Sequence, residues 1–306
     1  MLATAAPQLR DVRFRAMGTD VHLAVVGGDD HLLRIGESRV HELECRWSRF
    51  IETSEINALN RRAGQSVVVS IDTFDLVTRA VAAWRSTRGR FDPTVGATLA
   101  AYGYDRDFAS VADTIASVTS VGLPPGPGGV SFAPRVNAVT LPVGVTLDPG
   151  GIGKGLAADL TVQLLLEAGA RGALANIGGD LRVQGEPPAP EGWVVNVADP
   201  FDADRELLRV AMPDGAVATS SRLQRRWNTT AGPAHHLIDP RTGAPATTDV
   251  VAVTVVAGEA WWAEALTKAL FLAGPDALDD FEDLHAVIVT SDGTRHATPD
   301  LEATLR

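Results

Sequence analysis

The chain has 306 residues, enough for one large domain, or two intimately packed subdomains, with a well-buried core. Hydrophobic residues make up 45% and charged residues 21%, a composition typical of globular rather than disordered proteins. The formal net charge of −11 repels nucleic acid and anionic membranes, so neither is an expected partner. No stretch approaches the roughly 20 apolar residues of a membrane helix. The N-terminus shows no signal-peptide pattern, and the expected location is cytoplasmic.

Apolar spacing predicts the elements of the first half. Alternating Val21, Leu23 and Val25 predict a strand, which Gly27-Gly28-Asp29 closes. A helical face follows, with apolar residues recurring at intervals of 3, 4 and 3: Val40, Leu43, Trp47 and Phe50. The one cysteine, Cys45, excludes an intrachain disulfide and a Cys-based metal site, and its place in this helix predicts a buried, structural thiol. A short β-rich run covers 67–71, and a second helix carries Phe74, Val77, Val81 and Trp84.

From residue 145 onward, the sequence predicts a strand, a glycine-rich turn and a helix in direct succession. The strand covers 145–147, the turn 148–151 and the helix 154–168, with Gly169 at the position of a C-cap glycine. A late helix is predicted over 259–273. Further strands are predicted at 173–177, 193–197, 216–219, 250–256 and 284–290. The expected fold class is α+β or mixed α/β, with one strand–turn–helix crossover near the middle of the chain.

The segment VTLDPGGIGKGLAADL (145–160) has the parts of an anion-binding site. Glycines permit close approach of the backbone, and the N–H groups of a helix start point back toward the turn. Lys154 adds a positive charge. A P-loop requires Ser or Thr where Gly155 stands, and the dinucleotide pattern requires glycine where Leu156 stands, so neither template fits. A glycine-rich connection that binds nothing is the alternative.

Four other segments carry polar groups that could act in catalysis. His236 lies in the probable loop HHLIDPRTGAP (235–245) and could accept a proton from a hydroxyl near neutral pH. Arg90 and Asp92 follow a helix end in GRFDPTVG (89–96), where a capping turn is the simpler interpretation. Hydroxyls and arginines follow a strand in VATSSRLQRRW (217–227), and they could contact phosphate or form solvated ion pairs. Glu264 and Lys268 have the i,i+4 spacing of a surface ion pair.

Eight motifs in this order resemble those of the FAD:protein FMN transferases, the ApbE-like flavin transferases. They are MGT (17–19), SRFIETSEINALN (48–60), GRFDPTVG (89–96), LDPGGIGKGLAAD (147–159), NIGGD (176–180), ATSSRLQRR (218–226), HLIDPRTG (236–243) and AEALTKAL (263–270). The resemblance implies transfer of FMN from FAD to a threonine or serine hydroxyl of an acceptor flavoprotein, with release of AMP. It also implies Mg²⁺ as a cofactor. Members of the family are commonly exported or lipid-anchored, which the MLATAAPQ start does not support here.

The resemblance also assigns roles to individual residues. His236 corresponds to the histidine that activates the acceptor hydroxyl. Gly153 corresponds to a residue whose backbone carbonyl binds the metal. The residues that the resemblance places at FAD contacts are Met17, Phe50, Arg90, Phe91, Asp92, Gly150, Leu156 and Ile238. Lys154 is also expected to bind FAD, because of the positive charge that it adds to the glycine-rich turn. The family often has an aromatic residue at the position of Phe50 and tyrosine at the positions of Leu156 and Leu223.

The late helix departs from the family at the metal site. The family pattern there is roughly A-D-A-x-[ADS]-T-A, in which Asp and Thr provide oxygen ligands. Glu264 stands at the Asp position and Lys268 at the Thr position, and an ammonium group cannot bind Mg²⁺. Either Mg²⁺ is held by Glu264, the Gly153 carbonyl, water and Thr267, or the Lys268 ammonium replaces the cation.

Two other activities remain open at this stage. The same site could hydrolyse FAD to FMN and AMP, with water in place of the acceptor hydroxyl. Alternatively, the chain could bind or carry FAD without chemistry, because Lys268 disrupts the metal site.

Overall fold

A computed structural model describes residues 9–111, 115–119, 122–281, 284–302 and 305. Its centre is an eight-stranded sheet in which every neighbouring pair runs antiparallel. In spatial order, its strands are β1 (Leu9–Ala16), β2 (Thr19–Val26), β7 (Gly172–Ile177), β8 (Asp180–Gly185), β11 (Gly215–Ser221), β16 (Val250–Ala257), β17 (His285–Thr290) and β18 (Arg295–Ala297). Gly178 and Gly179 both have positive φ angles, as a two-residue hairpin turn between β7 and β8 requires.

Three helices cover one face of this sheet. α1 (Asp30–Trp47) packs on α5 (Gly153–Glu167), and α5 packs on α6 (Ala260–Ala273). α5 lies over β7 and β8, whereas α6 lies over β11 and β16. The remaining helices are α2 (Glu55–Arg61), α3 (Ile71–Ser86), α4 (Gly96–Ala101) and α7 (Pro299–Glu302).

A long hairpin covers the opposite face. Its strands, β9 (Trp193–Asp199) and β10 (Asp202–Met212), pair antiparallel. Side chains alternate along β17 accordingly: Ala286 and Ile288 join the core under α6, and Val287 and Val289 join the core under the hairpin. The molecule therefore has three layers: helices, sheet and hairpin.

Smaller sheets surround this framework. The first contains β3 (Ser66–Val68), β5 (Ser131–Ala133) and β6 (Ala138–Thr140); the second β4 (Ile115–Ala116), β12 (Arg226–Thr229) and β13 (Gly232–His235); the third β14 (Ile238–Asp239) and β15 (Ala244–Pro245). In the part of the chain that the structure describes, no helix is long and apolar enough to cross a membrane.

Most predicted elements are confirmed, including the α+β class. β2, β3, β7, β9, β11, β16 and β17 match the predicted strands, and α1, α3, α5 and α6 match the predicted helices. Gly169, with a φ of 107°, directly follows the C-cap of α5 as expected.

Three predictions about secondary structure and burial are wrong. Phe50 is not part of the helical face, because α1 ends at Trp47, and its side chain is exposed. Cys45 is exposed rather than buried, because it lies on the solvent side of α1. Residues 145–147 form no strand, so the crossover begins from a segment without regular secondary structure. The side-chain amide of Asn60 takes the place of a strand partner: it donates to the Leu147 carbonyl (2.9 Å) and accepts from the Leu147 N–H (2.8 Å).

Candidate active site

A cavity of about 340 Å³ opens in the helix layer, between the end of α1, the turn before α5 and α6. Most of the residues predicted for the site line it, although they are scattered over 250 positions of the sequence. The lining includes Met17, Phe50, Arg90, Phe91, Asp92, Gly150, Gly153, Lys154, His236, Ile238 and Lys268.

Three predicted site residues do not line the cavity. Leu156 is a core residue, 1% exposed, packed in the main hydrophobic cluster. Glu264 and Thr267 are fully buried behind the cavity wall. The leucine at position 156 lacks the hydroxyl of the expected tyrosine, and a purely apolar side chain belongs in the core.

The glycine-rich turn is held in shape by Asp148. Its carboxylate accepts the Gly150 N–H (2.8 Å) and forms an ion pair with Arg49 (3.2 Å). A single turn of 3-10 helix at Pro149–Gly151 then leads into α5. This arrangement places Gly150, Gly153 and Lys154 along one wall of the cavity.

Two lysines and two carboxylates form a cluster at that wall, hereafter the charge cluster: Lys154, Asp180, Glu264 and Lys268. The Lys154 ammonium donates to Asp180 and to Glu264 Oε1, the latter at 2.9 Å. The Lys268 ammonium contacts the same Oε1 at 3.3 Å. Glu264 Oε2 accepts the Gly155 N–H at 2.8 Å. The Glu264–Lys268 ion pair therefore exists as predicted from spacing, but it is buried rather than on the surface.

Burial and the neighbouring charges shift the pKa of each group in this cluster. Burial alone would raise the pKa of Glu264, but the Lys154 and Lys268 ammonium groups outweigh it and lower that pKa to about 2. Burial and the neighbouring Glu264 raise the pKa of Asp180 to about 6 despite Lys154. Burial lowers the pKa of Lys268, more than Glu264 and Asp180 raise it. Lys154 shows the opposite balance: its two carboxylate partners overcome burial and raise its pKa.

His236 faces the cavity from the loop before β14. Its Nδ1 is buried and forms no hydrogen bond with any residue that the structure describes. Burial lowers its pKa well below 6.5, and the nearby positive charges of Arg225 and Lys268 lower it further. The imidazole is therefore neutral at pH 7, the form that can accept a proton.

The segment 90–92 also lines the cavity. The Asp92 carboxylate accepts from both the N–H (2.8 Å) and the hydroxyl (2.6 Å) of Thr94. These bonds close a local turn rather than the expected cap, because the C-cap of α3 is Thr87 and the N-cap of α4, Val95, has no side-chain cap bond. Burial nevertheless raises the pKa of Asp92. Arg90 reaches Asp280 at 3.4 Å. Arg90 and Asp92 both line the cavity, so the local turn at Asp92 is compatible with a role in binding.

The sequence patterns did not predict that aromatic side chains form one wall of the cavity. Tyr104 lies 6.0 Å from Phe50 and 5.8 Å from Phe108, measured between ring centroids, and the Arg49 guanidinium lies over both Phe50 and Tyr104. The cluster of aromatic residues in AYGYDRDF (101–108) was the available signal, but no periodicity placed it at the site.

The serine and arginine segment at the end of β11 divides into structural and cavity-lining residues. The Ser220 hydroxyl bonds to the Thr267 hydroxyl (2.7 Å), and Arg222 donates to the Thr248 carbonyl (2.5 Å). Arg225, in contrast, lines the cavity and donates to the Tyr104 hydroxyl at 3.1 Å. Of the three hydroxyls proposed as phosphate contacts, that of Ser220 thus holds α6 to the sheet. Thr219 bonds instead to Thr254 of β16 (3.0 Å), and Ser221 accepts the Leu223 N–H (3.2 Å).

Comparison with known proteins identifies the family. The model of the ApbE family matches residues 17–288. An FAD:protein FMN transferase of Treponema pallidum is 30% identical over 263 residues, covering 79% of this chain and 72% of the relative. Another, of Rhodobacter capsulatus, is also 30% identical over 82% of this chain, which spans about half (49%) of that longer relative. The crystal structure of the ApbE protein of Thermotoga maritima superposes with a TM-score of 0.86 at 27% identity, over 98% of this chain and 100% of that one. The chain belongs to the ApbE family.

Proposed function

We propose that this chain transfers the FMN half of FAD to a threonine or serine hydroxyl of an acceptor flavoprotein, forming a phosphoester and releasing AMP. Relatives named FAD:protein FMN transferase support this activity. The observation that carries it is the cavity itself, a space of about 340 Å³ lined by two lysine ammonium groups and a neutral histidine. The Nδ1 of that histidine, His236, has no hydrogen-bond partner among the described residues.

In the proposed reaction, the acceptor hydroxyl oxygen attacks the phosphorus on the FMN side of the pyrophosphate. The bond from that phosphorus to the bridging oxygen breaks, and AMP leaves with the electron pair. His236 takes the proton of the attacking hydroxyl, for which it must be uncharged. Phosphoryl transfer depends on positioning and on charge neutralisation, and Lys154 and Lys268 supply positive charge at the cavity wall.

The rest of the cavity suits the two ring systems of FAD. Phe50, Tyr104 and Phe108 present aromatic faces on which a flat heterocycle can stack. Met17, Phe91 and Ile238 add apolar surface. The N-terminal end of α5, at Gly153, directs its positive helix dipole to the same space.

The side chains predicted to bind Mg²⁺ do not fit that role. The Glu264 oxygens accept hydrogen bonds from Lys154, Lys268 and the Gly155 N–H. The Thr267 hydroxyl bonds to Ser220 and to the Glu264 carbonyl, both at 2.7 Å. Over the described residues, there is no group of three His, Cys, Asp or Glu side chains that could hold a metal ion. No step of the proposed reaction therefore uses a metal.

The test is to incubate the chain with FAD and a candidate flavoprotein acceptor and to measure both products. Transfer predicts AMP release and a covalent FMN on one threonine or serine peptide of the acceptor. An acceptor with that residue changed to valine or alanine is the control. Free FMN without acceptor labelling would indicate a hydrolase, and intact, tightly bound FAD would indicate a carrier. Either result would refute the transferase proposal.

A further inference from the structure

The chain contains only two lysines in 306 residues, Lys154 and Lys268, against 25 arginines. Both lie in the charge cluster, and both ammonium groups contact Glu264 Oε1. Every other basic position that bears a permanent charge is arginine. The ammonium of lysine is a compact point charge with three donors on a flexible side chain, whereas the guanidinium of arginine is a rigid, planar fork.

Within the charge cluster, the positive groups face the cavity and the negative groups lie behind them. Lys154 and Lys268 line the cavity, each with 18% of its side chain exposed. Asp180 and Glu264 lie behind them, with side chains 3% and 0% exposed. A ligand in the cavity therefore meets the ammonium groups first, and the carboxylates balance them from the protein side.

We propose that the Lys154 and Lys268 ammonium groups form a built-in cation site for the FAD pyrophosphate, so that this chain binds and cleaves FAD without a divalent metal ion. This inference rests on the proposed function and specifies its electrostatics. Two ammonium groups already neutralise the two carboxylates, and a divalent cation beside them would be repelled.

Lys268 has the greater freedom to contact phosphate. Lys154 is held between Asp180 and Glu264, with a 2.9 Å bond to the latter. The Lys268 contact with Glu264 is longer, 3.3 Å, and comes from a flexible four-carbon side chain. An anion in the cavity can therefore draw the Lys268 ammonium toward itself while Lys154 continues to neutralise Glu264.

The first test measures FAD affinity by flavin fluorescence, in EDTA and in excess Mg²⁺, for wild type and for Lys268→Met and Lys268→Thr. We expect the wild-type Kd to agree within about twofold under both conditions. Lys268→Met should weaken binding about tenfold or more under both conditions, because one charge-assisted contact is lost. Lys268→Thr, which provides an oxygen ligand, should be weak in EDTA and regain affinity with Mg²⁺. Arg171→Met removes one positive charge from an exposed ion pair with Glu186 and is the matched control.

The second test uses the rarity of lysine. Protein labelled with ¹³Cε-lysine gives two lysine NMR signals, which Lys268→Met assigns. We expect FAD added in EDTA to shift the Lys268 signal and Mg²⁺ alone to shift neither. AMP release from FAD in EDTA provides the activity measurement.

The outcomes separate this proposal from the proposed function. Mg²⁺-dependent AMP release or tenfold tighter FAD binding in Mg²⁺ by the wild type would overturn the metal-free site and leave the transferase intact. Unchanged FAD affinity in Lys268→Met would also overturn it. Tight metal-independent binding without transfer to any acceptor would support the cation site and contradict the transferase. Absence of FAD binding under both conditions would refute both.

Discussion

Two adjacent histidines have opposite surroundings. His235 lies at the end of β13, where its ring nitrogens engage the backbone: Nε2 bonds to the Ala246 carbonyl (3.1 Å) and Nδ1 accepts the Leu237 N–H (3.3 Å). His236 faces the cavity with Nδ1 free of such bonds among the residues described. Only His236 can exchange a proton with a substrate, and His235 holds the loop.

We expect His236→Asn to reduce kcat/KM for FMN transfer by about 10²–10⁴-fold, the usual contribution of a general base. His235→Asn is the matched control, since it changes the same residue type one position away. It should lower thermal stability with an effect on kcat/KM of only a few-fold. Equal rate losses in the two variants would contradict the assignment of His236 as the base.

The pH dependence follows from the same residue. Burial, Arg225 and Lys268 lower the pKa of His236, and a general base is active above its pKa, where it is neutral. The acidic limb of the kcat/KM profile should therefore fall below pH 6.5, and the rate should be constant between about pH 6.5 and 7.5. An acidic limb at or above pH 6.5 that disappears in His236→Asn would show that the pKa of His236 is not lowered in the free enzyme.

For single residues, the sequence predicted which of them belong to the site better than it predicted how deeply they are buried. His236 and Lys154 were predicted as site residues from the composition of their segments, and both line the cavity. The spacing of Glu264 and Lys268 indicated a pair but suggested a surface, because i,i+4 spacing carries no information about what covers a helix face. The burial of Glu264 comes from α5 and β8, which are distant in sequence and pack on α6.

At the scale of elements, the site depends on how α5 crosses α6. Gly155 is the point of closest approach: a Cβ there would lie 2.3 Å from the Ala260 carbonyl oxygen and 2.7 Å from the Trp261 nitrogen. Only a residue without a side chain permits this contact. The same crossing brings the Gly155 N–H to Glu264 and thereby positions the charge cluster.

Gly155→Ala should therefore destabilise the protein by about 3 kcal/mol, since backbone rather than a flexible side chain must move. It should also weaken FAD binding, because α6 carries Lys268. Gly153→Ala is a matched control in the same helix, where the nearest atom to a new Cβ, Pro149 Cβ, is at an ordinary 3.4 Å. Its melting temperature should not fall, since alanine favours helix. Calorimetry of both variants measures the difference, and equal melting temperatures would contradict the tight crossing.

A second contact at this crossing caps α6 from outside the helix. The Asp159 carboxylate accepts the N–H groups of Ala260 and Trp261, both at 2.9 Å, and Glu259 at the N-cap position makes no side-chain cap of its own. Asp159→Ala should cost about 1–2 kcal/mol of unfolding free energy, as the loss of an N-cap does. Asp75→Ala, which breaks an i,i+4 pair with Arg79 on α3, should cost only about 0.5 kcal/mol. Urea unfolding measures the loss of unfolding free energy in each variant, and equal losses would contradict the capping role of Asp159.

Periodicity predicted those elements whose backbone bonds are regular. It failed at 145–147, where an apolar run resembles a strand but the backbone bonds of Leu147 go to the Asn60 side chain, 87 residues earlier. It also extended the α1 pattern to Phe50, although Ser48 at the C-cap has already turned to extended backbone. Both errors lie at the site, where side chains replace the usual backbone partners.

At the scale of the whole molecule, the three layers separate binding from support. None of the cavity-lining residues belongs to the core between the sheet and the β9–β10 hairpin. The chain's net charge of −11 repels an anionic substrate at long range, so the two lysines and neighbouring arginines must attract it locally. A substitution that weakens core packing under the hairpin should therefore leave the positive potential in the cavity unchanged.

A matched pair of leucines tests this separation. Leu208 on β10 is 0% exposed in the hairpin core, and Leu156 on α5 is 1% exposed in the core beneath the glycine-rich turn. Either change to alanine should reduce the free energy of unfolding by about 2–5 kcal/mol, because each leaves a cavity. We expect the FAD affinity of folded Leu208→Ala to equal that of wild type, since the sheet lies between the cavity and the substitution.

Leu156→Ala should in contrast weaken FAD binding several-fold, because Leu156 supports the first turn of α5 two residues from Lys154. Fluorescence titration well below each melting temperature makes the comparison among folded molecules. A loss of affinity in Leu208→Ala as large as that in Leu156→Ala would mean that the sheet transmits disturbance between its faces. Wild-type affinity in both would mean that the turn keeps its shape without Leu156, held by Asp148 and Asn60 alone.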